Sequence, residues 1–283
     1  MKQILISTIG LLISFVLGGC SSEVNQQFEI LQNQKESKQW SDTIQVNPCN
    51  ATILELKNNT GYCDVKCVNG DYANIRVECK FEAATKKVLD ECAEHMKLYV
   101  AEENQVIHVG MIEKDSGTDF WTWLQSKYGN SVSFIADFYV TIPEQFQRFS
   151  VNNQVGTVKI SDAKGLFSLE NGVGDIILKD SVVMGNSQLK TNIGSIEFAP
   201  QSVSGNAEIC TGTGDIRLTF VDGTVGEGEL SAITDTGYIM FFANYNVYSL
   251  ISDHTKGSEQ SCMARIEDCY TVNMQTKNGS VRF

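Results

Sequence analysis

Histidine is scarce in this chain: His95, His108 and His254 are the three among 283 residues. None stands in a Ser-His-Asp order, and His108 falls in an alternating strand beside no nucleophile. No phosphate-binding loop and no zinc spacing is present. The set Cys63, Cys67, Cys92 and His95 fits no zinc pattern, so no metal, no cofactor and no enzymatic activity is expected. Basic charge is also short, with 22 Lys and Arg against 34 Asp and Glu and a net charge of −12. That balance excludes nucleic acid as a partner and disfavours electrostatic docking on anionic lipid. One long apolar run exists, Ile4 to Val16, and it is too short to span a bilayer.

What the chain has is a repeat. Six copies of glycine, any residue, aliphatic, any residue, large apolar begin at Gly156, Gly174, Gly194, Gly214, Gly237 and Gly279. Their spacings are 18, 20, 20, 23 and 42 residues, the last about two steps of 21. Five residues before each glycine stand Val151, Leu169, Leu189, Ile209, Ala232 and Met274. Seven before stand Phe149, Phe167, Ser187, Ala207, Leu230 and Val272, and three before stand Asn153, Asn171, Thr191, Thr211, Thr234 and Thr276. This is strand, tight bend, strand, with the apolar positions on one face. The Asn and Thr column is expected to stack, each side chain bonding its neighbour. A fixed period near 20 residues with strand alternation predicts an all-β, single-stranded β-solenoid, expected as a right-handed β-helix.

One rung alone is unstable. Its four apolar side chains contribute roughly 6–12 kcal/mol, whereas ordering about 20 residues costs roughly 20–40 kcal/mol in backbone entropy. Only stacked rungs share enough hydrogen bonds and interior to hold. A seventh copy centres on Gly61, with Leu54, Leu56 and Asn58 before it and Cys63 and Val65 after it. The solenoid therefore starts near residue 51 and is interrupted by an N-terminal β-rich cap or insertion, residues 66–142. The last copy ends at Phe283 within its strand, which predicts either coverage by residues 242–270 or end-to-end self-association. Within 242–270, Gly257 keeps the period, but Glu259 and Ser261 occupy positions that should be apolar.

The N-terminus reads as an export signal: Lys2, the apolar run, then Leu17-Gly18-Gly19-Cys20. Those four residues resemble the lipobox of bacterial lipoproteins. The resemblance implies cleavage before Cys20 and a lipid on its sulfur, holding the protein at the cell membrane or outer envelope on the extracytoplasmic side. The expected division is a signal over 1–19, a lipid-anchored tether over 20–45 and a solenoid domain over 46–283. Loss of Lys2 takes the basic count from 22 to 21 against 34 acidic residues, a net of −13. Trp40 is read as the point where order begins.

Within the insertion, alternation and the Asn69-Gly70-Asp71 turn predict a hairpin from Cys63 to Phe81. A short helix is expected over 84–96, a second hairpin over 97–112, and a strand over 131–142 ended by Pro143. Phe120, Trp121 and Trp123 form an aromatic group that either contacts a partner or packs onto the domain wall. Beyond Cys20, eight cysteines remain, an even number in an exported chain, which suggests disulfides. Cys79 with Cys63 or Cys67, and Cys262 with Cys269, are the candidate bridges. Asp175 and Asp215 share a column two rungs apart, about 9–10 Å at the strand spacing. That separation suits a glycosidase pair, but a solvated turn explains the column better. Glu197 is expected beside Arg217 as a surface contact.

The phrase Val140-Thr141-Ile142-Pro143, followed by repeated strands ending in Gly-Asp-Ile or Gly-Ser-Ile, resembles the bacterial putative-adhesin domains of unknown function. The resemblance covers about residues 51–283. It implies a β-solenoid similar to auto-transporter adhesin passengers and supplies no catalytic residues. The expected function is a non-enzymatic binding or envelope-structural role at the cell surface, toward an unknown protein or glycan. The alternatives are a polysaccharide-acting enzyme on a pectate-lyase-like solenoid and an accessory protein in envelope-stress sensing.

Overall fold

A computed structural model describes residues 36–221, 225–243, 248–267 and 269–283. The signal segment and Cys20 lie outside them. The protein is mostly β. Its first half runs β1 (Glu36–Val46), β2 (Ile53–Lys57), β3 (Cys63–Val68), β4 (Ala73–Ala83), α1 (Lys86–His95), β5 (Met96–Glu103), β6 (Val106–Glu113), α2 (Phe120–Tyr128) and β7 (Ser133–Pro143). The second half is all strand: β8 (Arg148–Val155), β9 (Val158–Ser161), β10 (Lys164–Val173), β11 (Ile176–Lys179), β12 (Val182–Met184), β13 (Ser187–Ile193), β14 (Ile196–Ala199) and β15 (Ser202–Ser204). It ends with β16 (Ala207–Thr213), β17 (Ile216–Thr219), β18 (Gly228–Phe242), β19 (Tyr248–Lys256), β20 (Glu259–Ile266) and β21 (Tyr270–Arg282). Two compact units are present. The larger comprises Ser41–Glu78, Leu98–Met111 and Ile135–Phe283; the smaller comprises residues 36–40, Cys79–Lys97 and Ile112–Phe134.

In the larger unit the period becomes parallel ladders. One runs β6, β2, β8, β10, β13, β16, β18 and β21, each in parallel register with the next. A second runs β7, β3, β9, β11, β14, β17, the second half of β18 and the end of β21. Val158, Ile176, Ile196, Ile216 and Ile239 follow one another in register, each buried. Leu56, Val151, Leu169, Leu189, Ile209 and Ala232 do the same on the first ladder. The period-two pattern put these side chains on one face, and stacking closes that face from water. A third ladder joins the start of β10 to β12 and β15, burying Val183 and Val203. Its three-residue strands are too short to show alternation in the sequence.

The bends explain the repeated glycine. A Cβ on Gly194 would lie 2.0 Å from the carbonyl oxygen of Gly174, and one on Gly214 would lie 2.1 Å from that of Gly194. Both have φ near +146°, at 145° and 147°, where side chains are strained. Bare glycine lets the next bend sit directly on the preceding carbonyl. The Thr column then bonds that carbonyl: Thr191 Oγ1 donates to Gly174 O at 3.0 Å, Thr211 to Gly194 O at 2.8 Å and Thr234 to Gly214 O at 2.9 Å. The expected bond from each side chain to its column neighbour is replaced by this one, because the bend carbonyl is the acceptor within reach. Asn153 and Asn171 donate through Nδ2 to Gly61 O and Gly156 O. Their Oδ1 atoms, with that of Asn58, are buried and unpartnered.

Several expectations change. β3 lies parallel between β7 and β9, so both its edges are used and the hairpin over 63–81 does not form. Residues 36–45, assigned to the tether, fall within β1, where every second residue from Lys38 is partly buried. Much of the insertion therefore builds ladder: β6 and β7 add parallel strands before β2 and β3. The helix over 84–96 forms as α1, capped by Thr85 Oγ1 accepting from Val88 N–H. Asn104 and Gln105, at φ 51° and 69°, make the two-residue turn between β5 and β6, as positive φ at both turn positions requires. Residues 248–266 fold back as the antiparallel pair β19 and β20, and β20 covers the first half of β21. The coverage expected from 242–270 is thus present over Tyr270–Thr276, while the last residues of β21 receive from β20 the Gln260 side chain, whose Oε1 accepts from Val281 N–H at 2.6 Å.

The smaller unit is built on aromatic packing. Phe81, Phe120 and Phe134 are buried with Leu89, Cys92 and Leu124. Phe81 stacks on Phe134 at 4.6 Å, and Phe120 meets Phe134 edge-on at 5.1 Å. Helix α2 starts at Asp119, whose Oδ1 accepts from Thr122 N–H at 2.9 Å, and stops at Gly129. Among the described residues, no helix is long and apolar enough to cross a membrane.

Candidate functional site

The outward positions of the first ladder make a polar wall. Gln188, Glu208, Ser231 and Asn273 follow one another in register. Amides donate to carboxylates on the adjoining strands: Asn152 Nδ2 to Glu170 Oε2 at 3.2 Å, Gln188 Nε2 to Glu208 Oε2 at 2.9 Å, and Asn273 Nδ2 to Glu229. Strand alternation sets this wall, since the apolar neighbours of these residues face inward. An open groove of about 540 Å³ runs across it, lined chiefly by Asn186, Gln188, Asn206, Glu208, Glu229 and Ser231. Planar amides, hydroxyls and carboxylates on a rigid ladder can hydrogen-bond a polar ligand laid along the strands. No sequence motif marks these residues, which are the ordinary outward half of the repeat.

The aspartates weighed in the sequence serve the bends. Asp175 Oδ1 accepts from Ser195 N–H, and Asp215 Oδ1 accepts from Tyr238 N–H, both at 2.8 Å. Asp137 Oδ1 treats Tyr62 N–H in the same way at 2.7 Å. Each carboxylate ties its bend to the adjoining one. Glu197 is in register with Arg217, as expected, and the Arg217 guanidinium lies 5.6 Å from the Phe242 ring centroid. His108 Nδ1 lies 2.8 Å from Glu55 Oε2, a pairing the sequence did not reveal.

The candidate contact aromatics are packing residues in large part. Phe120 is fully buried. Trp121 lies against Phe134 at 4.6 Å, and Trp123 stacks on Phe120 at 5.4 Å and on His95 at 5.1 Å. Both tryptophans are half-buried. Of the cysteines named as candidate bridges, Cys63, Cys67, Cys262 and Cys269 stand as free thiols, as do Cys49, Cys92 and Cys210, and Cys79 is buried. Cys63 and Cys67 sit inside the ladder, where strand pleating points them at the core. Cys262 Sγ faces Asp253 Oδ1 and Cys269 Sγ faces Gly226 O, so the two sulfurs are directed to different partners. Burial pushes the Cys63 and Cys67 thiols up to about 12 and that of Cys92 to about 11. Lipidation at Cys20 falls outside the described residues.

Sequence reasoning missed a second polar cluster, in the smaller unit. His95 ends α1, Glu113 ends β6 and Asp115 lies in the turn that follows. His95 Nδ1 is 2.8 Å from Glu113 Oε1 and 3.6 Å from Asp115 Oδ2. The Glu113 side chain is only 4% exposed. Its Oε2 accepts from Ser116 N–H and Ser116 Oγ–H, each at 2.7 Å. The Ser116 hydroxyl, the His95 ring and the Ser116 amide hold its carboxyl down at about 2. His95 lies 18 residues before Glu113 and outside any sequence motif with it, so only the tertiary fold brings them together.

Stacked parallel strands with a hydrogen-bonded polar outer wall place the chain among repeat-built, mostly β proteins. Within that class it belongs to the Toastrack DUF4097 family, whose model matches residues 53–282. No curated protein matches the chain. Among solved structures it is distantly similar to a putative cell adhesion protein from Clostridium sporogenes ATCC 15579. The identity is 10%, covering 87% of this chain and 98% of that one, with a TM-score of 0.29.

Proposed function

We propose that this protein is a lipid-anchored, extracytoplasmic binding or envelope-structural protein with an adhesin-like, non-enzymatic role. Its larger unit is read as a β-solenoid with up to three parallel strands per coil. The reading of an anchor rests on Leu17-Gly18-Gly19-Cys20. The observation that supports binding is the groove of about 540 Å³ on the polar wall, set on strands that the glycine and threonine columns hold rigidly. Its amides and carboxylates already pair in a ladder that a hydroxyl-rich glycan or an extended peptide can join by exchange of hydrogen bonds. Binding of the full-length protein to a panel of surface glycans, without turnover, is the expected result. Loss of that binding in Gln188→Ala with Glu208→Ala would place contact on this wall, and unchanged binding would remove the wall from the function. Radiolabelled fatty acid should enter the wild-type chain and not Cys20→Ala.

One observation favours a second reading, a polysaccharide-acting enzyme. Glu208 and Glu229 line the same groove, and paired carboxylates are what glycoside hydrolysis requires. Cleavage of any glycan in the panel, abolished by Glu208→Gln, would replace the binding reading with this one.

A further inference from the structure

We propose that His95, Glu113 and Asp115 form a binding site for one divalent transition-metal ion of the zinc class. Their ligand atoms lie within 4.8 Å of one another. Two carboxylates converge on one imidazole nitrogen, Glu113 at 2.8 Å and Asp115 at 3.6 Å. A histidine–glutamate hydrogen bond needs only one of them. The second adds like-charge repulsion across the same nitrogen, which a dication between the three groups removes.

The distances suit an ion. Zinc binds imidazole nitrogen and carboxylate oxygen at about 2.0–2.2 Å, which separates tetrahedral ligand atoms by about 3.4 Å. The Asp115 contact, at 3.6 Å, is close to that length. The Glu113 contact needs to open by roughly half an ångström, with the ion taking the place of the shared proton between Nδ1 and Oε1. The frame that holds these groups is built. Glu113 Oε2 is pinned by two bonds from Ser116, leaving Oε1 directed at the site. The His95 ring is fixed by Trp123, stacked 5.1 Å away at 26°. Lys114 N–H donates to His95 O at 2.9 Å, tying the helix end to the strand end. Asp115, 69% exposed, gives the entry side and leaves the remaining positions open to water.

Donor chemistry sets the class. One nitrogen and two oxygens suit zinc, cobalt, nickel or manganese rather than calcium, which takes six to eight oxygens, or copper(I), which prefers thiolates. Cys92, one helical turn before His95, is buried, and its sulfur is not among the converging ligand atoms. The neighbouring cations are engaged elsewhere, Lys114 with Glu94 at 3.9 Å and Lys127 with Glu91.

The stacked Trp123 supplies a reporter. Full-length, tag-free protein stripped with chelator is titrated with zinc chloride by calorimetry, and with cobalt chloride while tryptophan fluorescence is followed. The expected result is one ion per chain, a higher Tm with zinc, and cobalt quenching that shrinks in Trp123→Phe. Asp115→Asn, at an exposed position, should keep the fold and weaken zinc affinity by about tenfold or more. His95→Gln should abolish binding, and if it fails to fold, Asp115→Asn decides alone. Absence of saturable binding in the wild type, or binding unchanged in Asp115→Asn, overturns the proposal.

Discussion

The larger and the smaller unit keep order by different means. In the larger unit a residue's role follows from its column. Thr211 bonds a glycine carbonyl because Thr191 does, and Ile216 is buried because it stands in register with Ile196. In the smaller unit no residue has a counterpart one period away. Phe81, Phe120 and Phe134 come from three separate elements, β4, α2 and β7, and meet once. Repetition makes roles redundant and regular, whereas single packing makes each contact unique and is where the histidine–carboxylate cluster arises.

Glycine substitution should separate the two most widely. Gly194→Ala drives a Cβ to within 2.0 Å of a backbone oxygen that stacked strands hold in place. A loss of about 3–5 kcal/mol is expected in denaturant unfolding. Gly117→Ala, in the turn of the smaller unit at φ +69° with nothing within 4 Å, should lose only about 1–2 kcal/mol from the left-handed backbone. Equal losses would show that the stacked bend is not the rigid element. A smaller effect tests the column itself. Asn171→Thr keeps a donor for Gly156 O and removes the buried, unpartnered Oδ1, so a gain of about 1 kcal/mol is expected by thermal melting.

Thiol reactivity is the mildest test and spans both units. Exposed Cys49 and Cys269 should react with a thiol reagent within minutes at pH 8. Cys63 and Cys67 of the ladder, at about 12, and Cys92 of the smaller unit, at about 11, are raised by burial. Their reactive thiolates stay depleted until the pH approaches those values, so labelling at pH 8 should require denaturant. Early labelling of Cys92 but not Cys63 would show that the smaller unit opens first.

Most of the repeat was legible in the sequence because its physics is local and recurrent. A glycine, an aliphatic residue two positions later and a threonine three before name one bend and its neighbours. What failed to show needs knowledge of which strand lies beside which. The alternation of Cys63 to Phe81 gives faces, not partners, so the parallel placement of β3 between β7 and β9 looked like a hairpin. Residues 36–45 follow a Gln-, Asn- and Glu-rich stretch and read as tether, although Trp40, Ile44 and Val46 share one face and packing makes 36–46 a strand. Asp175 was placed in the right column, but its bond to Ser195 N–H depends on the exact bend. His95, Glu113 and Asp115 carry no spacing rule at all.

The bond from threonine hydroxyl to the preceding glycine carbonyl has a consequence for how such a chain can change in length. Every copy brings one donor for the copy before it and one acceptor for the copy after it. Duplicating or deleting a whole stretch such as Ser187–Asn206 leaves those two groups matched in number across the junction. Growth by whole copies is therefore nearly neutral at the bends, while gain or loss of a few residues within a copy throws each later hydroxyl out of reach of its oxygen.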